Sequence, residues 1–129
     1  MLPALLGPEA VAWRFVVPGD PPSVNHSYRY HHGRVSKDES VSTYQMVASN
    51  AVKNARPKDW VPPAQIRIRY WMFLHGRIDA DNALKALNDA IAHGLGVNDA
   101  CFLPCVAEKS TGNRNPYVEV EIDASPCVS

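Results

Sequence analysis

The sequence predicts a single α/β domain, ordered β-α-β-α-β-β, in which a small mixed sheet is packed by two helices. Three observations predict it. Apolar and polar residues alternate over 11–17, 65–74 and 117–122, the period of a half-buried strand. Two other stretches, 40–55 and 81–93, space their apolar residues by three and four, the period of an amphipathic helix. The length, 129 residues, suits one domain with one core.

Residues 1–10 read as a loose arm and 124–129 as a frayed tail, so 1–129 is taken as one domain. Val11 to Val17 is the first strand, with Val11, Trp13, Phe15 and Val17 on one side. Pro18-Gly19-Asp20-Pro21-Pro22 ends it. The following stretch, from Ser23 to Arg34, is a loop dense in aromatic, His and Arg side chains. Such a loop suits phosphate contact and base stacking, and it also suits a plain turn-rich connector. His26, His31 and His32 lack metal-ligand spacing and read as solvent-facing or phosphate-binding. Ser36 or Asp38 caps the next helix, Ser40 to Ala55, whose apolar face is Val41, Tyr44, Val47, Ala48, Ala51 and Val52. Lys53, Arg56 and Lys58 suit the negative end of its dipole without any nucleic acid. Pro57 and Pro62-Pro63 bound a linker.

Gln65 to Leu74 is the clearest strand: Ile66, Ile68, Tyr70 and Met72 alternate with Arg67, Arg69, Trp71 and Phe73. Arg67 and Arg69 share a face that is either solvated or a DNA surface. The second helix starts near Asp81, a good N-cap, and stops near His93-Gly94, with Leu84, Leu87 and Ile91 inward. Asp89 reads as a solvated side chain. Leu95 to Ala100 is a turn carrying Asp99. Cys101 to Lys109 is a weaker strand that Pro104 places at an edge. Tyr117 to Ile122 is a strand with one wet face, read with its predecessor as a terminal hairpin. No repeat or low-complexity segment is visible.

Composition excludes several classes. The chain is 46% hydrophobic and 20% charged, ordinary for a globular protein, and no apolar run approaches the roughly 20 residues that cross a bilayer. Met1 to Pro8 lacks a charged n-region and a long apolar core, so it is not read as a signal peptide. Cys101, Cys105 and Cys127 form an odd set without C-x-x-C, against a disulfide framework or zinc site and in keeping with a reducing cytoplasm. The 13 basic and 13 acidic residues balance, but unevenly along the chain. Residues 14–85 hold 11 Lys/Arg against 6 Asp/Glu, a balance of +5; residues 86–129 hold 2 against 6, a balance of −4. A basic surface around a small acidic cluster suits a metal-dependent enzyme acting on a polyanion.

That cluster is Asp79-Ala80-Asp81-Asn82-Ala83-Leu84-Lys85. Two acids two residues apart in an extended lead-in point the same way, and Mg²⁺ prefers one or two carboxylates with waters and phosphate oxygens to a full protein cage. Lys85, four residues after Asp81, lies on its face of the helix, positioned either to meet a phosphate or to form an i,i+4 salt bridge.

Together with these residues, Pro21-Pro22-Ser23-x-Asn25, the Tyr28-Arg29 and Gly33-Arg34 pairs, and Asp99-Ala100 resemble the RusA family of Holliday junction resolvases, from about Phe15 to Lys109. The resemblance implies a RusA-like fold and a homodimeric, Mg²⁺-dependent endonuclease, with Mn²⁺ as a substitute ion. It would cut two opposed strands of a four-way junction in recombination or repair, in a bacterial, prophage or phage setting. It makes Asp79, Asp81 and Asp99 metal-binding catalytic acids and Lys85 the essential lysine. DNA contact is assigned to Asn25, Tyr28, Arg29, His31, Arg34 and Lys37, with Arg67, Arg69, Arg77 and Lys109. One departure is Asn98, where the family often has an acid. Asp99 lies beyond the far end of the helix that Asp79 and Asp81 open, so it joins them either by a chain running back or from a partner subunit. A non-catalytic branched-DNA-binding module is the alternative, and a hydrolase of small phosphate esters ranks below both.

Overall fold

A computed structural model describes residues 12–22, 28–31, 34–37 and 39–123, with backbone alone over 28–31, 34–37 and at 39. The alternation seen in the sequence becomes three apolar rows across three strands. β1 (Ala12–Pro18) pairs antiparallel with β6 (Tyr117–Asp123), and β6 pairs antiparallel with β4 (Ile66–Phe73). Trp13, Ile122 and Ile68 therefore stand side by side, as do Phe15, Val120 and Tyr70, and Val17, Val118 and Met72. All nine are buried. β5 (Phe102–Ser110) adds to the other side of β4 in parallel, with a register shift between Tyr70 and Trp71, and the order is β1-β6-β4-β5.

The terminal hairpin is therefore corrected: β5 and β6 are not neighbours, and β6 lies between β1 and β4. The reason is in the residues. β6 alternates cleanly and can bury one face between two partners, whereas Pro104 withholds an N–H that a central strand needs. A second correction concerns 23–37. Part of the stretch read as a loop, 23–34, is β2 (Tyr28–His31), which pairs antiparallel with β3 (Arg34–Lys37) as a two-stranded ribbon.

Among the described residues, two helices cover the apolar face. α1 (Glu39–Ala55) turns Tyr44, Ala48 and Val52 to the core, and α2 (Ala80–Leu95) turns Ala83, Leu87, Ala90 and Ile91. The parallel β4–β5 pair requires a crossover, and α2 supplies it. α2 runs past the expected stop at Gly94 and ends at Gly96, whose φ of 73° is the left-handed cap conformation. Gly94 has a packing role instead: a Cβ there would lie 3.0 Å from Ser49 Cα of α1. The linker reading of 57–63 also changes. Trp60 is buried, its ring 5.3 Å from that of Trp13 at 71°, an edge-to-face contact.

Candidate active site

β4 ends at Phe73, and the six residues that follow carry the chain to Asp79. The Leu74 N–H donates to Ser110 C=O at 2.8 Å, and the Gly112 N–H donates to His75 C=O at 3.1 Å. Ile78 packs against the core, while Arg77 and Asp79 are exposed. Asp79, not Asp81, is the N-cap of α2, with φ −60° and ψ 142°. Its carbonyl accepts from the Ala83 N–H at 3.0 Å, but its carboxylate makes no capping hydrogen bond. Asp81 sits in the first turn, where the dipole favours a negative charge. Asp81 and Lys85 are exposed, and no ion pair joins them among the described residues. Two exposed carboxylates, one of them unused as a cap, are an all-oxygen donor set that fits a hard divalent cation with open positions for water and phosphate.

Asp99 stands elsewhere. It opens a 3₁₀ turn, Asp99–Cys101, capped by Asn98, whose Oδ1 accepts the Ala100 N–H at 2.9 Å. The departure at position 98 thus has a local structural use. Phe102 pairs with Ile66 at the start of β4, whereas Asp79 follows the end of β4. β4 has 8 residues, about 23 Å from first to last at the usual rise. α2 has 16 residues and spans about 24 Å. Asp99 and the Asp79–Asp81 pair therefore lie at opposite ends of the same β4-α2-β5 unit. Among the described residues no group of three or more His, Cys, Asp or Glu stands close enough to hold a metal ion.

The residues assigned to DNA contact divide into three groups. Asn25 lies outside the described residues. Tyr28, Arg29, His31, Arg34 and Lys37 share the β2–β3 ribbon, where Tyr28 is opposite Lys37 and His31 opposite Arg34. Arg77 and Lys109 are exposed, Arg77 only two residues before Asp79. Arg67 and Arg69 are on the sheet face opposite α1 and α2, in rows with acids from β6: Arg67 beside Asp123, and Arg69 beside Glu121. The Arg69 guanidinium is 3.7 Å from Glu121 and lies over the Trp71 ring, 6.0 Å from its centroid.

Behind the site the core holds two tyrosines. The Tyr70 hydroxyl donates to Asn88 Oδ1 at 2.6 Å, tying β4 to α2. Burial, and secondarily Tyr44, pushes the Tyr70 phenol above its ordinary range. Burial, with a smaller contribution from Asp20, does the same to Tyr44, whose hydroxyl has no hydrogen-bond partner among the described residues.

Sequence reasoning passed over Asp20. Its carboxylate accepts from the His75 N–H at 2.9 Å and the Gly76 N–H at 3.2 Å. An acid inside Pro-Gly-Asp-Pro-Pro was the only signal available, and it reads first as turn punctuation.

The family model described as "Endodeoxyribonuclease RusA" matches residues 18–123. No curated protein matches. Among solved structures, a 2C-methyl-D-erythritol 2,4-cyclodiphosphate synthase from Plasmodium vivax aligns over 88% of this chain and 96% of its own, at 8% identity and a TM-score of 0.36. A likeness that slight carries no argument.

Proposed function

The chain belongs to the RusA family of endodeoxyribonucleases, and from that premise we propose that it is a homodimeric, Mg²⁺-dependent enzyme that resolves four-way DNA junctions by paired cuts in recombination or repair. Family membership implies Holliday junction resolvase activity, hence phosphodiester hydrolysis in branched DNA. Among the described residues no helix is long and apolar enough to cross a membrane.

Asp79 and Asp81 hold the ion, with Mn²⁺ able to substitute. When bound, the ion polarises a phosphoryl oxygen and lowers the pKa of the attacking water. Lys85, one turn into α2, meets the scissile phosphate and offsets charge that develops in the transition state. The β2–β3 ribbon, with Asn25, Tyr28, Arg29, His31, Arg34 and Lys37, grips backbone phosphates and stacks on unpaired bases at the branch point. Arg77 and Lys109 extend that grip, and Arg67 and Arg69 lie on the far side of the sheet among acids.

The observation that carries the reading is the separation of Asp99 from the other two acids along β4 and α2. Asp99 completes the shell from the partner subunit, so each of two matched sites takes Asp79 and Asp81 from one copy and Asp99 from the other. A two-fold enzyme of this kind suits a two-fold junction.

The test is subunit complementation on a labelled synthetic junction with Mg²⁺, beside linear duplex. Asp81→Asn and Asp99→Asn homodimers each bind without cutting. Mixed and re-annealed, they give heterodimers with one intact composite site, so single-strand nicking returns. If each subunit carried a whole site, the mixture would stay inactive. Tight binding by the wild-type protein with no cutting in Mg²⁺ or Mn²⁺ would replace the resolvase reading with the non-catalytic module.

A further inference from the structure

We infer that Asp20 is a positioning residue for the acidic pair, because its carboxylate holds two successive backbone amides of the segment that delivers Asp79. The inference rests on the reading of Asp79 and Asp81 as metal-holding acids.

The geometry is that of a clamp. Oδ1 accepts the His75 N–H at 2.9 Å and Oδ2 the Gly76 N–H at 3.2 Å. Both amides lie beyond the last ladder residue of β4, so neither is satisfied by a neighbouring strand. An ionised acceptor makes each bond shorter and stronger than a neutral one would. Asn113 grips the adjacent residue: its N–H and its Nδ2–H donate to Leu74 C=O at 3.0 and 2.9 Å. Its carbonyl is also 3.2 Å from His75 Nδ1. Residues 74–76 are thereby fixed by two elements remote in sequence, and only Arg77 and Ile78 stand between them and Asp79.

The clamp is itself anchored. The Gly19 N–H donates to Pro116 C=O at 2.8 Å, with Gly19 at φ 92°, and Pro21 is buried. Asp20 also lies where the chain leaves β1 toward the β2–β3 ribbon. One carboxylate thus joins the strand that leads into the DNA-gripping segment to the strand that leads into the ion-holding acids. Catalytic geometry tolerates little slack, and a misplacement of about 1 Å can cost on the order of 100-fold in rate.

Asp20→Ala, Asp20→Asn and Asp81→Asn are compared with the wild-type protein by amide hydrogen exchange without metal, Mn²⁺ binding and junction nicking. Asp20→Ala is expected to speed exchange at His75 and Gly76 by roughly tenfold or more while leaving the β6 ladder unchanged. It is expected to weaken Mn²⁺ binding and to lower kcat by roughly 10- to 100-fold with junction Kd unmoved. Asp20→Asn keeps one acceptor oxygen and falls between. Unchanged exchange at His75 and Gly76 with unchanged Mn²⁺ binding would overturn the proposal. So would exchange raised equally across the sheet, which reports general loss of stability. The reading of the acids fails separately, if Asp81→Asn binds Mn²⁺ and nicks like wild type.

Discussion

Arg14 and Glu121 face each other across the β1–β6 pair, the arginine Nε and Nη2 lying 2.8 and 2.7 Å from the same carboxylate oxygen. Arg69 approaches the other oxygen of Glu121 at 3.7 Å from the β4 side, so one carboxylate sits between two guanidinium groups. The carboxylate offsets part of the positive charge that either arginine presents to a phosphate. Arg69→Ala is therefore expected to leave the salt dependence of junction binding unchanged, while Arg29→Ala or Arg34→Ala each lowers the slope of log K against log salt by about 1. Fluorescence anisotropy over a salt series reads this directly, and an equal loss of slope in Arg69→Ala would put the sheet face opposite α1 and α2 in contact with DNA.

Tyr70 and Tyr44 look alike in the sequence and differ in the core. Tyr70→Phe strands the Asn88 oxygen that its hydroxyl now satisfies, and is expected to cost about 1–2 kcal/mol. Tyr44→Phe removes a buried hydroxyl that has no partner among the described residues, and is expected to be neutral or stabilising. Urea denaturation of the two variants separates them by sign.

Both phenols are held above their ordinary value of 10.0 in the folded chain. The unfolded chain ionises them near pH 10, so it releases protons that the folded chain keeps. Their contribution is complete below pH 10 and falls as pH rises above it, by up to about 1.4 kcal/mol per pH unit for each tyrosine. Phenolate absorbance should show two of the five tyrosines ionising only as the protein unfolds.

Two glycines at the C-terminal end of α2, Gly94 and Gly96, carry opposite constraints. Gly94→Ala gains about 1 kcal/mol of helix propensity but sets a methyl 3.0 Å from Ser49 Cα and 3.3 Å from Val52 Cβ. The expected net effect is a loss, since overpacking costs about 1–3 kcal/mol. Gly96→Ala has open space but a left-handed backbone at φ 73°, costing about 1–2 kcal/mol. Thermal denaturation should lower Tm in both, and trimming residue 49 should not rescue Gly94→Ala, because the nearest contact is the Ser49 backbone Cα.

Asn98→Asp should keep the cap on Ala100, because Asp and Asn cap equally well, while adding a charge beside Asp99. The Mg²⁺ concentration for half-maximal nicking is expected to fall several-fold in a titration. Asn98→Ala instead loses the cap, at about 1 kcal/mol of local stability.

Much of this was legible in the sequence because period alone determines it. Ile66 to Met72 and Val118 to Ile122 could only be half-buried strands, and α1 and α2 fell within two residues of their expected ends. What period does not encode is adjacency. Nothing in Tyr117–Asp123 says that it pairs with β1 and β4 rather than with β5; the clue was the single Pro104, a statement about an edge. Trp60 was hidden by the prolines around it, which mark a connector whether or not its middle is buried. The β2–β3 ribbon has only four residues on each side, too few for alternation to register. The charge asymmetry was read correctly and interpreted too simply. The acids of the C-terminal half do not stand apart from the basic half, since Glu119, Glu121 and Asp123 enter the sheet beside Arg14, Arg67 and Arg69. As for the site, Asp79, Asp81 and Asp99 were visible as residues, but their placement at two ends of one crossover needed the strand register.

The place of β6 has a consequence for how the chain is made. β1 and β4 do not touch as strands; each waits for the segment between them, which is the last strand of the described chain to be synthesised. A nascent chain stopped after Ser110 would carry α1, α2 and β1 to β5 yet lack the middle of its sheet, leaving Trp13, Phe15 and Val17 without the β6 row that they pair with. Closure joins Ala12 to Asp123, the two ends of the described chain, which predisposes the fold to slow, late assembly. Until residues 117–123 clear the ribosome, the two edges they will fill stay open to other chains.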